Sequence, residues 1–535
     1  MKPRILVIGL DAAAMSILRP WVGAGHLPAL ESLIRDGAIG EMLSTPNMHS
    51  ASAWTSILTG LNPGRHGLFV FSDRDYATGR QQFFKGGDRA AEIITTHLAR
   101  HGLSSGLLNV PMTYPAECSP GGYSVSGLDA PSLDERAFCP AGLREEIFKL
   151  FPEYNFSPVG LGDLMREGKL DEAISAWLRL IDTQTSVAEH LIETRPVDFF
   201  MTVYTASDWG GHNLWKLNRD DSNPLLSIYK SLDEAIARLV GLASSETQVY
   251  VISDHGMGRH TGASYHLARW LEERGYMTRR SVKAATAGLI GAGKRAARRL
   301  LPVAVRERVK SSLGAERVKR IQASEKDSFY SSIDWQRTSA YTEAGRHVIN
   351  INLEGRNQYG IIERKDYDRF CSALIEDLKG WKDSRGVAFV ERVAKREEVY
   401  AGPYSERASD LYVYWNPEAD AGDPPDEVRE RGFWWSGDHR PEGILICRGR
   451  GIKKVSELKA PTVYDLLPTV MYLAGLPIPS GLDGQVIREV CGEEFLAQYP
   501  LRYESPEEGG TTESVRLSDS DEDMIEEKLR ALGYM

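Results

Sequence analysis

No stretch of the chain approaches the roughly eighteen consecutive apolar residues that a membrane-spanning helix needs, so no spanning segment is expected. Cysteine is also scarce. Cys118, Cys139, Cys371, Cys447 and Cys491 are odd in number and scattered, with no C-x-x-C pair. They fit reduced thiols in a cytoplasmic protein better than a disulfide framework. Positive charge is not in surplus. Lys and Arg total 64 against 74 Asp and Glu, a net charge of −10, so a nucleic-acid duplex is not expected as partner. Internal repeats are missing as well. Met1-Lys-Pro-Arg4 followed by Ile5 to Leu10 superficially resembles a signal peptide, but the apolar run is short and stops at Asp11, so it reads as a first strand. What remains is a soluble globular composition, 42% hydrophobic and 26% charged, over 535 residues. Length alone suggests about three domains, although one α/β domain with insertions also reaches this size.

Three apolar runs carry the argument, because each stops on a metal-type ligand. Val249 to Ile252 is followed by Asp254-His255 and then glycines, which turn the backbone where the ligands stand. Ile5-Leu-Val-Ile-Gly-Leu10 ends on Asp11, and Val197 to Ser207 ends on Asp208, with His212 four residues on. Open α/β sheets bind ligands outside the carboxyl ends of their strands, so these residues are expected at one sheet edge. A further Gly437-Asp-His439 turn is predicted directly before the apolar strand Ile444–Cys447.

Between these runs the periodicity predicts helices at Ala13–Val22, Leu27–Arg35, Leu143–Leu150, Ile174–Ile192, His266–Arg274, Tyr367–Leu378 and Val463–Ala474. Ser50 or Ser52 is expected to cap a helix ending near Thr59, and a serine there either caps the helix or meets a phosphate at its N-terminus. Segment 279–320 is markedly basic. It reads as a solvated helical insertion, with a lid over the site or a membrane-surface contact as the sharper alternatives. Its Gly288-x-x-x-x-Gly293-Lys294 mimics a phosphate-binding loop, but Arg295 follows and no strand precedes, so that reading is rejected. Residues 1–265 and 339–490 are expected to form the catalytic core, 266–338 the basic insertion, and 491–535 an acidic linker with a short helix capped at Ser520.

Asp11, Asp208, His212, Asp254, His255 and His439, with Ser50 nearby, are too many ligands for one tetrahedral ion and about right for two. Carboxylate and imidazole suit Zn²⁺, with Mn²⁺ or iron as alternatives. Paired cations clamp the attacking and leaving oxygens of a phosphoryl displacement, and a serine bound to one of them, here Ser50 as a further metal ligand, becomes the nucleophile.

Five motifs in order carry a resemblance: Gly9-Leu-Asp11; Ser50-x-Ser-Ala-Trp54 through Thr59-Gly60-x-Asn-Pro-Gly-x-His66-Gly67; Asp208-x-x-x-His212; Asp254-His-Gly-Met-Gly258; and Gly437-Asp-His439-Arg-Pro-x-Gly443. With Thr462 to Val470 and Asp483-Gly484 added, the chain resembles the alkaline phosphatase superfamily in its type I phosphodiesterase/nucleotide pyrophosphatase branch. The resemblance implies an alkaline-phosphatase-like three-layer sandwich with a mostly parallel central sheet and helical insertions. It puts Asp208, His212 and His439 on one metal ion and Asp11, Asp254 and His255 on the other, aligns Ser50 with the nucleophile and leaves Ser52 as the fallback. The expected activity is a phosphodiesterase or pyrophosphatase acting on a small phosphate ester. Alternatives on the same site are a phosphomonoesterase, a phosphotransferase, a phosphoglycerate-mutase-like enzyme or a catalytically silent binding protein. Relatives bind a phosphate oxygen with an Asn after His-Gly, whereas Phe71-Ser72 stand near that place here, which argues against a nucleotide substrate. Arg65 is the one cation near the nucleophile motif and the candidate substrate contact, and with Phe69-Val-Phe71 following it the site is expected to prefer a diester over a monoester.

Overall fold

The computed structural model describes residues 2–217, 223–280, 328–425, 428, 435–505 and 516–532. The basic stretch 281–320, with its Gly288–Lys294 mimic, and residues 506–515 of the acidic linker lie outside the described residues.

The strands that matter here are, in chain order, β1 (Ile5–Leu10), β2 (Ala38–Leu43), β3 (Ser105–Val110), β4 (Tyr123–Ser126), β5 (Phe138–Cys139), β6 (Phe199–Tyr204), β7 (Gln248–Ile252), β8 (Gly256–Arg259), β9 (Ala340–Tyr341), β10 (Val348–Ile351), β11 (Val390–Lys395), β12 (Leu411–Trp415), β13 (Gly437–Arg440) and β14 (Glu442–Arg448). Eight of them form the central sheet in the order β2-β14-β7-β1-β6-β3-β4-β5. The pairs from β7 through β1, β6 and β3 to β4 are parallel, while β14 and β5 run antiparallel to their neighbours. The mostly parallel sheet expected from the sequence is therefore present.

Helices cover both faces, and this explains why β1 reads as an unbroken apolar run. Successive side chains of a strand point to opposite faces. Leu6, Ile8 and Leu10 join the apolar cluster that includes α2 (Leu170–Thr194) and α4 (Pro224–Gly241), whereas Ile5 and Val7 join the one built with α1 (Ser50–Thr59) and α7 (Leu466–Leu473). A second, antiparallel sheet, β9-β10-β12-β11, carries its own apolar cluster with α5 (Ala263–Glu273) and α6 (Tyr367–Lys379). Residues 339–490 thus contain a separate layer before the chain rejoins the central sheet at β14.

Four local expectations need correction. Cys118 and Cys139 are joined in a disulfide, and only Cys371, Cys447 and Cys491 are free and buried. Nothing in their sequence spacing announces the bond; the antiparallel return of β5 beside β4 carries Cys139 back along the sheet edge. Neither Ser50 nor Ser52 caps α1: His49 does, its ring accepting from the Ala51 N–H at 3.2 Å. Gly437-Asp-His439 is not a turn but strand β13, paired antiparallel with β8. The last helix, α8 (Asp519–Leu532), is closed by Ser518 and Asp521, which exchange bonds with each other's backbone N–H at 3.2 and 3.0 Å. That is two residues before the expected Ser520 cap.

Candidate active site

Register brings the strand-end residues together. Leu10 of β1 lies beside Tyr204 of β6, and Gly9 beside Ile252 of β7, so the three strands finish level. Asp11 follows β1 at once, Asp254 and His255 follow β7, and Asp208 stands in the first turn of α3 (Ala206–Leu214) just after β6. Residues four apart on a helix share a face, and His212 therefore stands one turn above Asp208. His439 arrives on β13, opposite Met257 of β8. All six candidate ligands meet at one sheet edge, as the runs predicted.

They form two sets. In the first, the Asp208 Oδ1 lies 3.2 Å from His212 Nε2 and 3.3 Å from His439 Nε2, and the two ring nitrogens are 2.9 Å apart. Ligands about 2.0–2.1 Å from a tetrahedral Zn²⁺ stand about 3.3 Å from one another, close to these edges. Each ring is oriented from behind: His212 Nδ1 donates to Gly437 O at 3.0 Å and His439 Nδ1 to Met48 O at 2.7 Å. A carbonyl can only accept, so both Nε2 atoms are left with lone pairs facing the same point. Trp435 stacks on His212 with ring centroids 3.6 Å apart.

In the second set, His255 Nε2 is 3.2 Å from Asp254 Oδ2 and 3.7 Å from Asp11 Oδ1. Its Nδ1 donates to Gly256 O at 3.2 Å. The Trp54 indole donates to Asp11 Oδ2 at 3.2 Å, and the Ala12 N–H to Asp254 Oδ1 at 3.2 Å. Gly9 makes the first of these contacts feasible, because a Cβ there would sit 2.5 Å from the Trp54 ring. His255 stands between the sets: its ligand atom lies within 4.8 Å of those of Asp208 and His439 as well as those of Asp11 and Asp254.

The electrostatics of the bare cluster are unfavourable. Burial, then Asp254 and Asp208, raise the Asp11 pKa well above the carboxylate range, and burial pushes Asp254 up to about 7. Burial also opposes ionisation of Asp208, but His212 and His439 outweigh it and hold this carboxyl well below its usual value. Burial and then His439 keep His255 neutral. Among the described residues, Asp254 Oδ2 is buried with no hydrogen-bond partner. Crowded carboxylates, converging lone pairs and an orphaned acceptor fit a divalent cation in each set. The donor types suit Zn²⁺, Mn²⁺ or iron.

Ser50 sits over the second set, its hydroxyl 3.1 Å from His255 Nε2 and 3.4 Å from Asp11 Oδ1. Relieved of capping by His49, it is free to act there. Ser52 turns away, bonding Asn47 Oδ1 at 2.7 Å, the His49 carbonyl at 2.9 Å and Thr45 Oγ1 at 2.9 Å. Arg65 is not brought to the cluster. It follows the C-terminal end of α1, a ten-residue helix of about 15 Å, and its guanidinium is occupied by Gly481 O and Asp483. Phe71 packs against the edge of the His49 ring at 5.2 Å, so the place where relatives carry an Asn is apolar.

Three contributors were not legible as such. Trp54 stands four residues after Ser50 with nothing in the spacing to announce its bond to Asp11. Asp438, beside His439, is buried and accepts from His347 Nε2 at 3.1 Å. The third is Arg346, one residue before His347. Its charge adds to burial in lowering His49 to about 3 and partly offsets the burial that raises Asp73.

A family model described as type I phosphodiesterase/nucleotide pyrophosphatase matches residues 5–437. No curated protein matches the chain. Among solved structures, phosphonoacetate hydrolase from Sinorhizobium meliloti 1021 in complex with phosphonoformate is similar, with a TM-score of 0.52 and 15% identity over 88% of this chain and 95% of that chain. Its complex with phosphonoacetate gives 0.51 and 14% over the same shares. Murine ectonucleotide pyrophosphatase/phosphodiesterase 5, in an inactive form with AMP, gives 0.49 and 12%, covering 89% of this chain and 96% of that chain. At these identities the likeness to the hydrolase is one of fold.

Proposed function

The chain belongs to the type I phosphodiesterase/nucleotide pyrophosphatase family, a family of phosphoester hydrolases, and from that premise we propose a metal-dependent phosphodiesterase with Ser50 as nucleophile. The observation that carries the reading is the Ser50 hydroxyl, 3.1 Å from His255 Nε2 and 3.4 Å from Asp11 Oδ1, at the junction of two ligand sets. Asp208, His212 and His439 would hold one divalent ion, and Asp11, Asp254 and His255 the other, most simply Zn²⁺. When bound, such ions supply the positive charge that favours the serine alkoxide and the leaving oxyanion.

The chain's own residues do the rest. Trp54 and the Ala12 N–H fix the carboxylates of Asp11 and Asp254, and the Gly437, Met48 and Gly256 carbonyls fix the three rings. Ser50 Oγ bonds to phosphorus as the ester oxygen departs, and water then attacks the phosphoserine and restores the hydroxyl. Arg65, the cation nearest the nucleophile in sequence, is held by Gly481 O and Asp483 instead of at the ligand sets, which supports a singly charged diester over a monoester dianion. Among the described residues no helix is long and apolar enough to cross a membrane. The Cys118–Cys139 disulfide favours an oxidising compartment over the cytoplasm expected from the sequence, since such bonds are rare in reducing surroundings.

The test is an acid quench of metal-loaded protein turning over bis-p-nitrophenyl phosphate, followed by peptide mass spectrometry. A phosphoryl adduct on Ser50, with turnover lost in chelator, is expected. An adduct on another residue, or full turnover after prolonged chelation, would overturn the reading.

A further inference from the structure

We propose that Arg346 is a specificity-determining residue that grips a second anionic group of the substrate, on the part of the ester that is retained after the first displacement. The inference rests on the phosphodiesterase reading and names a substrate class for the same site: esters whose retained alcohol carries a carboxylate or phosphate.

Arg346 belongs to the 343–347 loop between β9 and β10, far in sequence from the nucleophile, and the fold brings it back on three tethers. The next residue, His347, donates to Asp438, the neighbour of the candidate ligand His439, at 3.1 Å. The preceding residue, Gly345, donates its N–H to Ser264 O at 3.0 Å. Beyond the loop, β10 pairs with β12, whose Tyr414 hydroxyl donates to Pro46 O at 2.8 Å, on the segment leading to Ser50. The loop and the strand after it therefore bridge from the first ligand set to the nucleophile segment, with Arg346 next to the His347 that bonds Asp438.

Its guanidinium is half-buried and uncommitted. Among the described residues its ion-pair partner is Glu343, at 3.8 Å and beyond hydrogen-bond distance. Two other partly buried arginines are held more closely: Arg356 grips Asp410 through two bonds, and Arg238 grips Glu189 through two. A planar five-donor group left in this state matches an incoming carboxylate or phosphate, which it binds by paired parallel hydrogen bonds. Asp73 and Glu343 nearby provide the counter-charge that tethers the side chain while the site is empty of substrate.

The experiment compares two p-nitrophenyl phosphodiesters with the same leaving group, one retaining propanol and the other 3-hydroxypropanoate. The native protein should favour the carboxylated ester by about tenfold in kcat/KM, a difference of one charge-assisted contact. Arg346→Gln should bring the ratio near one by lowering kcat/KM for the carboxylated ester more than for the neutral one, and Arg346→Lys should recover part of the preference. Calorimetric binding of 3-phosphonopropanoate against propylphosphonate gives the same comparison without turnover. No preference in the native protein, or an equal loss on both esters in Arg346→Gln, would overturn the proposal. Turnover without preference removes the anchor and leaves the phosphodiesterase reading standing. Preference in binding without turnover does the reverse.

Discussion

Nε2 of His212 and Nε2 of His439 face each other at 2.9 Å while the Nδ1 of each ring donates to a backbone carbonyl. Two imidazoles locked in this tautomer oppose lone pair to lone pair, which is repulsive unless a cation lies between them. The folded chain has therefore built a position that a positive charge stabilises, and Asp208 completes it.

His439→Gln should remove one of the two ions and reduce turnover to background while the fold is kept. Elemental analysis of the purified variant should give about one ion per chain against about two for the native protein. Two retained ions would mean that His439 is not a ligand.

Ser50→Ala and Ser52→Ala should separate chemistry from structure. The first should abolish turnover with both ions still bound. The second removes a hydroxyl that bonds Asn47, Thr45 and the His49 carbonyl, so it should cost stability, on the order of 1 kcal/mol, and lower the melting temperature by a few degrees. Its activity should stay within about tenfold of native. Melting curves and steady-state rates on both variants check the pair.

Trp54→Phe keeps most of the ring but deletes the donor to Asp11 Oδ2. Loss of such an orienting contact typically weakens a metal site by about 10–100-fold. Competition with a calibrated chelator should show that loss on one ion only. An unchanged affinity would reduce Trp54 to a packing role.

Helix α8 should dock more firmly as pH rises. Burial lowers the Lys528 pKa to about 7 despite the nearby Asp129, and its ammonium rests on Ala130 O and the Phe156 ring. A lysine whose folded pKa is depressed carries a penalty that is complete below the folded value. The penalty is relieved as pH climbs toward the unfolded value, about 10.4. Hydrogen exchange over Asp519–Leu532 should slow between about pH 7 and 10 once intrinsic rates are corrected, and Lys528→Met should flatten that trend.

The strand ends were legible because their chemistry is local. An apolar run that halts on Asp11 or on Asp254-His255 needs no distant partner to be recognised, and the register of β1, β6 and β7 then aligns the ends. What escaped was decided by tertiary pairing. Gly437-Asp-His439 has a turn's composition and becomes a strand because β8 lies beside it. Ser50 has an N-cap's surroundings, yet the His49 ring takes that bond. Arg65 looked like the substrate cation from its place in a motif, whereas Arg346 reaches the neighbourhood through a sheet that no spacing reveals.

The two-stranded ribbon of β8 and β13 joins both ligand sets through main chain. His255 leads directly into β8, and His439 lies on β13 opposite Met257. The gap between the sets is consequently gauged by backbone ladder bonds rather than by side-chain rotamers, so the ribbon works as a caliper. A larger ion in one set cannot be accommodated by swinging one imidazole aside; it must spread the caliper and disturb its neighbour. Ion exchange at the two positions should then be correlated, with the second replacement easier or harder than the first but never indifferent to it.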